Sequence, residues 1–490
     1  MNYYVMSGGW PATSESLVEP AAAYEFSAQS AYVAANDSHR RQRIPARPQI
    51  EDELLTRPQR AKLGENARDM IRNYAVAAWA VRCHLNYICA HRASVATKDD
   101  GFNREVEHWL AKRMQADRFD ASKRFPGRRF VRLLEAQRVI SGDVLVVRTS
   151  GGGLQGIEYD RVFTPIATAA GGSQAWRPLG KAERWIGGVR VTPALEHLGY
   201  AVHARRTGGA FEFEREVPVR DAFLFGYFDR FDQVRGVSPL APGLNQLRDV
   251  AEAQLYALAK AKVSQFFALV MNRAVDDDDD EEDASLDIDL GGGPCQVDLN
   301  PGDEAKFLES ATPSTQFQDF TKTVLQLALR ALDIPISFFN ESETNFYGSR
   351  GAWIHYQNAA EDKREGVREL LLWWTAWALL RAIVEGELVV PRRLSVEDVL
   401  AAVEWIPSAS AWWNPTTELQ GQMWAISAGL DNPQRICREN GTDVFANIDA
   451  IAAVLQYAKT AGVPLTFTPN LGPAATLEAL AALEAQKGGA

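Results

Sequence analysis

Cysteine is scarce in this chain. Its 490 residues carry only Cys83, Cys89, Cys295 and Cys437, too few for a disulfide framework, and such a count fits a reducing cytoplasm. Long apolar runs are missing too. The most apolar stretch, residues 370–380, holds 11 residues between Arg368-Glu369 and Arg381, well short of the roughly 20 that cross a bilayer. It is expected to be a buried helix, with no membrane partner. Residues 1–11 show no basic region leading into an apolar core, so no signal peptide is expected. Chemical motifs are lacking as well. There is no Gly-x-Ser-x-Gly elbow and no His-Glu-x-x-His helix, and Gly180-Lys181 lacks the neighbours of a phosphate-cradling loop. The seven histidines (His39, His84, His91, His108, His197, His203, His355) are scattered, and none stands in a motif that names a base. Cys83 and Cys89 lie six apart on one helical stretch, about 600° round it, so they point to different faces and make no zinc site. No catalytic residue, metal ligand or cofactor is expected.

A basic excess is also absent, which argues against sequence-specific DNA binding. The formal net charge of −11 belongs almost wholly to one run: Asp276, Asp277, Asp278, Asp279, Asp280, Glu281, Glu282, Asp283, Asp287 and Asp289, with no Lys or Arg among them. Without those ten acids the chain stands at −1. Asp287, Asp289, Gly292 and Asp298 faintly resemble a calcium loop, but Gly291 occupies a position where an oxygen ligand is needed. A nuclease-type carboxylate cluster draws its acids from separate elements rather than one run. A solvated, self-repelling loop is the default for such a sequence.

What is present reads as α+β. Residues 1 to about 60, rich in Ala, Ser and Pro with a basic tract at His39-Arg40-Arg41-Gln42-Arg43, suggest an extended arm. Helices are expected at 68–92 and 130–140, then a strand at 144–147 and a β-rich region to residue 225, broken by Gly and Pro. Residues 240–273 carry Leu244, Leu247, Ala251, Leu255, Leu258, Phe266 and Val270 at helical spacing, with Pro239 and Pro242 suited to the first turn. Further helices are expected at 315–332 and at 352–388, the latter bearing Trp353, Trp373, Trp374 and Trp377. The end of the chain is punctuated: Asn414-Pro415 to Gly429, Asn432-Pro433 to Asn440-Gly441, Asp443 to Gly462, then a last helix at 473–487.

Four blocks carry a resemblance. Val234-Arg235-Gly236-Val237-Ser238-Pro239-Leu240-Ala241-Pro242, at the head of a long helix, resembles a segment of the portal proteins of lambda-like tailed bacteriophages. Asp117-Arg118-Phe119-Asp120 with Ser141-Gly142-Asp143-Val144-Leu145 resembles the same family's wing. Asn345-Phe346-Tyr347-Gly348-Ser349-Arg350 is similar to its Asn-Tyr-Ser-Ser-x-Arg motif, departing at Phe346 and at Tyr347-Gly348. Asn414-Pro415, Gly429-Leu430 and Glu439-Asn440-Gly441-Thr442-Asp443 resemble its last block. The resemblance spans about residues 65–465.

It implies an arm (1–60), wing (61–238), stem helix (239–273), clip (274–313), second stem helix (314–333), tunnel loop (334–350), wing helix (351–400) and crown (401–490). It further implies a twelve-fold ring at one capsid vertex through which double-stranded DNA passes. The implied partners are the terminase large subunit, a head–tail adaptor, and the major capsid and scaffold proteins. Assembly would take place in the host cytoplasm. Asn340, Glu341, Ser342, Glu343, Thr344, Asn345 and Arg350 would face DNA in the tunnel, and the ten acids would belong to the clip that docks the motor and adaptor. The rival readings are a metal-dependent nuclease using the acidic run, and a head–tail adaptor or scaffold-like protein.

Overall fold

The computed structural model describes residues 50–165, 180, 182–266, 269–272, 304–307, 315–340, 345–408 and 415–465. Helix α1 (Glu51–Leu54) is followed by α2 (Arg57–Asn73) and α3 (Ala75–Ile88), then by strand β1 (His91–Val95). The sequence suggested one helix over 68–92, but Tyr74 has extended backbone (φ −120°, ψ 113°) and splits it. The expected arm also ends sooner than residue 60. Gln59 accepts hydrogen bonds from the Thr56 N–H and hydroxyl, and Pro58 sits in the first turn, so the chain turns helical at Arg57. Next come α4 (Asp100–Arg113), α5 (Ala116–Phe119) and α6 (Gly127–Ser141).

Two small antiparallel sheets follow. Strands β2 (Asp143–Arg148), β3 (Leu154–Glu158) and, later, β8 (Ala222–Gly226) pair in the order β3-β2-β8. Between them β4 (Arg184–Ile186), β5 (Val189–Val191), β6 (His197–Arg205) and β7 (Phe211–Pro218) form a meander. Strand β2 shows why its sequence is apolar without alternation. Successive side chains of a strand point to opposite faces. Val144 and Val146 enter the main core, whereas Leu145 and Val147 enter a second core with Ile157, Val189, Tyr200 and Val234. It is a shared wall, buried on both sides.

After the Ala241–Gly243 turn, α7 (Leu244–Phe266) leads to β9 (Leu269–Asn272). This strand pairs antiparallel with β10 (Glu304–Phe307), and α8 (Thr315–Leu329) runs back. The helix expected to reach residue 273 therefore gives way to strand. Its apolar end pairs with a strand beyond residue 300, which local periodicity cannot register. Helix α9 (Phe346–Val384) is 39 residues long, roughly 58 Å at 1.5 Å per residue. Tyr356, Ala360, Val367, Leu371, Trp374, Ala378 and Ala382, spaced by threes, fours and their sums, form its buried stripe. The apolar run 370–380 lies in this stretch. Helix α9 stops short of the expected end at 388 because Gly386 takes a left-handed backbone (φ 75°) and lets Glu387 N–H reach back to Ala382 O at 2.8 Å.

Then α10 (Val396–Ala401) precedes β11 (Val403–Pro407), which pairs antiparallel with β1 and buries Trp405 and Ile406 in the body. The segment expected to open the crown thus completes a sheet begun at residue 91. Helices α11 (Pro415–Ser427), α12 (Pro433–Glu439) and α13 (Val444–Ala461) end the described chain. The helix expected at 473–487 lies outside the described residues. No helix among the described residues is long and apolar enough to cross a membrane.

Candidate functional site

The helical hairpin of α7 and α8 changes character along its length. At its root, Leu244, Leu247 and Val250 on α7 and Leu325, Ala328, Leu329 and Leu332 on the returning chain are buried. Gly243 makes the close crossing possible: a Cβ there would lie 2.8 Å from Ala328 O and 3.0 Å from Ala331 Cβ. The start of α7 therefore meets the end of α8, and the two run antiparallel. Farther out the apolar residues face solvent: Leu255 is 63% exposed, Tyr256 69%, Leu258 53% and Phe320 63%. A shaft with large apolar side chains in water is unfinished as a lone chain.

The root is anchored by buried charges. Arg235 is 1% exposed, and all five of its N–H donors have acceptors. Nε and Nη2 make a two-pronged pair with Asp143 at 2.6 and 2.7 Å; the rest go to the carbonyls of Val162, Gly187 and Tyr159. Burial works against the Arg235 charge, but the Asp143 carboxylate outweighs it and holds the guanidinium above the ordinary arginine pKa. Asp143 also accepts from Gly236 N–H at 2.9 Å. Asp52 accepts from Val234 N–H at 2.8 Å and pairs with Arg60 at 3.1 Å, while Arg60 donates to Gly236 O. Two cations face two anions here. Backbones meet as closely: a Cβ on Gly236 would sit 2.2 Å from Gly142 O, and Gly142 itself has φ 95°. Ser238 Oγ donates to Val139 O at 2.6 Å and accepts from Leu240 N–H, closing the turn into the hairpin.

Two sequence blocks nearly a hundred residues apart, Ser141-Gly142-Asp143 and Val234 to Pro242, are therefore two halves of one junction. Sequence reading flagged both but not their partners. Asp52 and Arg60 were assigned to the arm, although the Thr56-x-x-Gln59 signal with Pro58 was there to place them on helices. A second buried network was also missed. His84 Nε2 lies 2.7 Å from Glu135, which accepts from the Tyr227 hydroxyl at 2.9 Å and faces Arg138 at 2.7 Å. Burial lowers the His84 pKa, so the ring is neutral beside an ionised Glu135.

The expected tunnel-loop residues divide. Asn340 ends the turn after Ile336–Phe338, its N–H on Ile336 O at 2.9 Å. Glu341, Ser342, Glu343 and Thr344 lie outside the described residues. Asn345 caps α9, accepting from Gly348 N–H at 2.7 Å. The loop thus ends there: Arg350 is helical rather than looped, and lies 3.9 Å from Glu418. The ten acids (Asp276–Asp280, Glu281, Glu282, Asp283, Asp287, Asp289) also lie outside the described residues. Their segment is closed at its base, because β9 and β10 pair Asn272 with Glu304. Cys83 and Cys89 are buried in the main core.

Elsewhere, a polar cleft of about 670 Å³ opens between α9, β11 and α11–α12. Its charges are spent on one another, with Arg368 on Glu361 at 2.6 Å and Arg438 on Glu404 at 3.3 Å. Among the described residues no cluster of three His, Cys, Asp or Glu could hold a metal.

A family model described as phage portal protein, lambda family, matches residues 37–363, well over half of the chain. The chain belongs to the lambda family of phage portal proteins. Portal proteins are structural connectors of the capsid vertex, and that is the role and place of this chain in the virion. Solved structures similar to this portal protein include the "Neck of native GTA particle computed with C12 symmetry", at 13% identity and TM-score 0.45, covering 78% of this chain and 93% of that one. Another is the "Virion of native gene transfer agent (GTA) particle", at 13% identity and TM-score 0.43, with the same coverage. A comparison with curated proteins finds no match.

Proposed function

We propose that this portal protein assembles into a closed ring of twelve copies, the number the family resemblance implies. Its α7–α8 hairpins stand side by side as the stem of a channel for double-stranded DNA. One observation carries the reading: the hairpin is firmly rooted yet exposes Leu255, Tyr256, Leu258 and Phe320 along its shaft. Neighbouring hairpins in a ring would cover these side chains. Asn340 and Asn345, with the residues between them, would then face the bore. The segment closed off by β9 and β10 forms the clip that docks the terminase large subunit and later the head–tail adaptor. The major capsid and scaffold proteins would meet the outer wall.

Channel physics supports the assignment of the acids. Duplex DNA carries about one negative charge per 1.7 Å, and each Lys or Arg contact adds grip. Twelve copies of ten acids place roughly −120 formal charges round one collar. Facing inward they would repel DNA; facing outward they would attract basic partners. The protein would act without catalysis.

Negative-stain images of the purified protein, averaged down the ring axis, test the proposal. Rings with a central hole are expected, and a stable monomer at micromolar concentration would refute the reading. Deleting residues 276–289 should leave rings intact and abolish motor or adaptor binding. Mg²⁺- or Mn²⁺-dependent cutting of duplex DNA that disappears on Asp276–Asp280→Ala would favour a nuclease instead.

A further inference from the structure

We propose that Phe231 is a preformed knob that enters a pocket at the hairpin root of the adjacent copy, steered by Asp229 on the knob side and Arg330 on the pocket side. The proposal rests on the ring reading above and adds a specific subunit contact to it. Phe231 is 108% exposed, an extreme for a large aromatic. The loop beneath it is rigid. Val237 N–H bonds Tyr227 O at 3.1 Å, and Gln233 fills the loop, donating to Tyr227 O and Arg235 O while accepting from Asp229 N–H. Arg230 ties the tip to Glu51 and to Asp232. An aromatic side chain held out on a braced loop loses little entropy on docking.

The matching pocket has a volume of about 390 Å³ and is lined by Leu327, Ile334, Pro335, Ile336 and Ala352, with Arg330 among its walls. Leu327 is 61% exposed and Ile334 fully buried, as rim and floor. A chain of hydrogen bonds links knob loop and pocket. Tyr227, at the base of the knob loop, bonds Arg138; Arg138 bonds Lys363 O; and Lys363 bonds Leu332 O beside the pocket floor. Arg330 and Asp229 have no ion-pair partner among the described residues. They would complete one another across the interface, with the guanidinium also near the Phe231 ring. Arg230 beside the knob is spent on Glu51 and Asp232, so the loop offers DNA no free cation and Asp229 disfavours it as the occupant. A ring needs two different complementary patches on one chain, and this pair supplies them.

The test compares assembly with concentration for the full-length chain, by sedimentation or native mass measurement. Phe231→Ala should raise the concentration for half-assembly roughly tenfold or more. Its unfolding midpoint should be unchanged, because the side chain is fully exposed. Asp229→Arg and Arg330→Glu should each weaken assembly, and the double variant should return to within about threefold of the parent. Parent-like assembly by Phe231→Ala, or a double variant no better than the single ones, would overturn the contact while leaving the ring intact. A parent chain that never assembles would instead remove the ring reading itself.

Discussion

The root of the hairpin and its shaft are built by opposite rules. At the root, the arginine and aspartate charges are buried and matched: every donor of Arg235 has an acceptor, and Gly142 and Gly236 let two backbones touch. Along the shaft, apolar groups are exposed and unmatched. Buried polar groups must be satisfied within the chain, because leaving them unpaired costs more than any contact gains. Exposed leucines can wait for a neighbour. The root is finished in the monomer, and the shaft is finished by assembly.

The largest effect that would break this contrast comes from Asp143→Ala, which strands the buried Arg235 charge. It should cost about 3–5 kcal/mol in urea unfolding. A loss under 1 kcal/mol would mean that the junction is looser than its geometry. Gly236→Ala comes next, forcing a methyl against the Gly142 carbonyl. About 1–3 kcal/mol is expected, since backbone on both sides must shift.

Acid should act on the body between these sizes and zero. Burial, with Arg364 and Arg368 nearby, pushes the His91 pKa down to about 4, below the value near 6.5 of an unfolded histidine. Between those two values the unfolded chain binds the extra proton, so stability is full above pH 6.5 and falls as pH drops toward 4. The slope is at most about 1.4 kcal/mol per pH unit. Replacing His91 with Gln should flatten that slope. If denaturation midpoints at pH 5 and pH 7 differ equally in both proteins, His91 is not the group responsible.

The smallest effect on the monomer should come from the shaft. Leu255→Gln and Leu258→Gln replace exposed residues with a good helix former, so unfolding should move within about ±0.5 kcal/mol. Ring formation should nevertheless fail. If the same variants destabilise the monomer strongly, the shaft is internal structure and the contrast with the root disappears.

Legibility followed distance along the chain. Asn432 and Asp443 cap their helices as their sequence suggests, and Gly429 and Gly462 end theirs with φ of 69° and 71°. Each of those signals is complete within a few residues. The end of α7 is not legible locally because β9 takes its partner from beyond residue 300, and strand β11 is not because it pairs with β1. His84 and Glu135 gave no signal, since a buried hydrogen bond between residues 51 apart leaves no local pattern. Of the candidate site, Asn345 and Arg350 read as loop, whereas Asn345 caps α9 and Arg350 lies within that helix.

The sequence by itself determined the helix boundaries set by caps and glycines, the concentration of acid in one run, and the family, because all of these rest on residue type and short spacing. Tertiary structure alone decided that Arg235 and Gly236 close on Asp143 and Gly142, that β2 divides two cores, and that the shaft's leucines stay uncovered. Those outcomes depend on which distant surfaces exclude water from one another, and that is a property of the packed chain rather than of any segment of it.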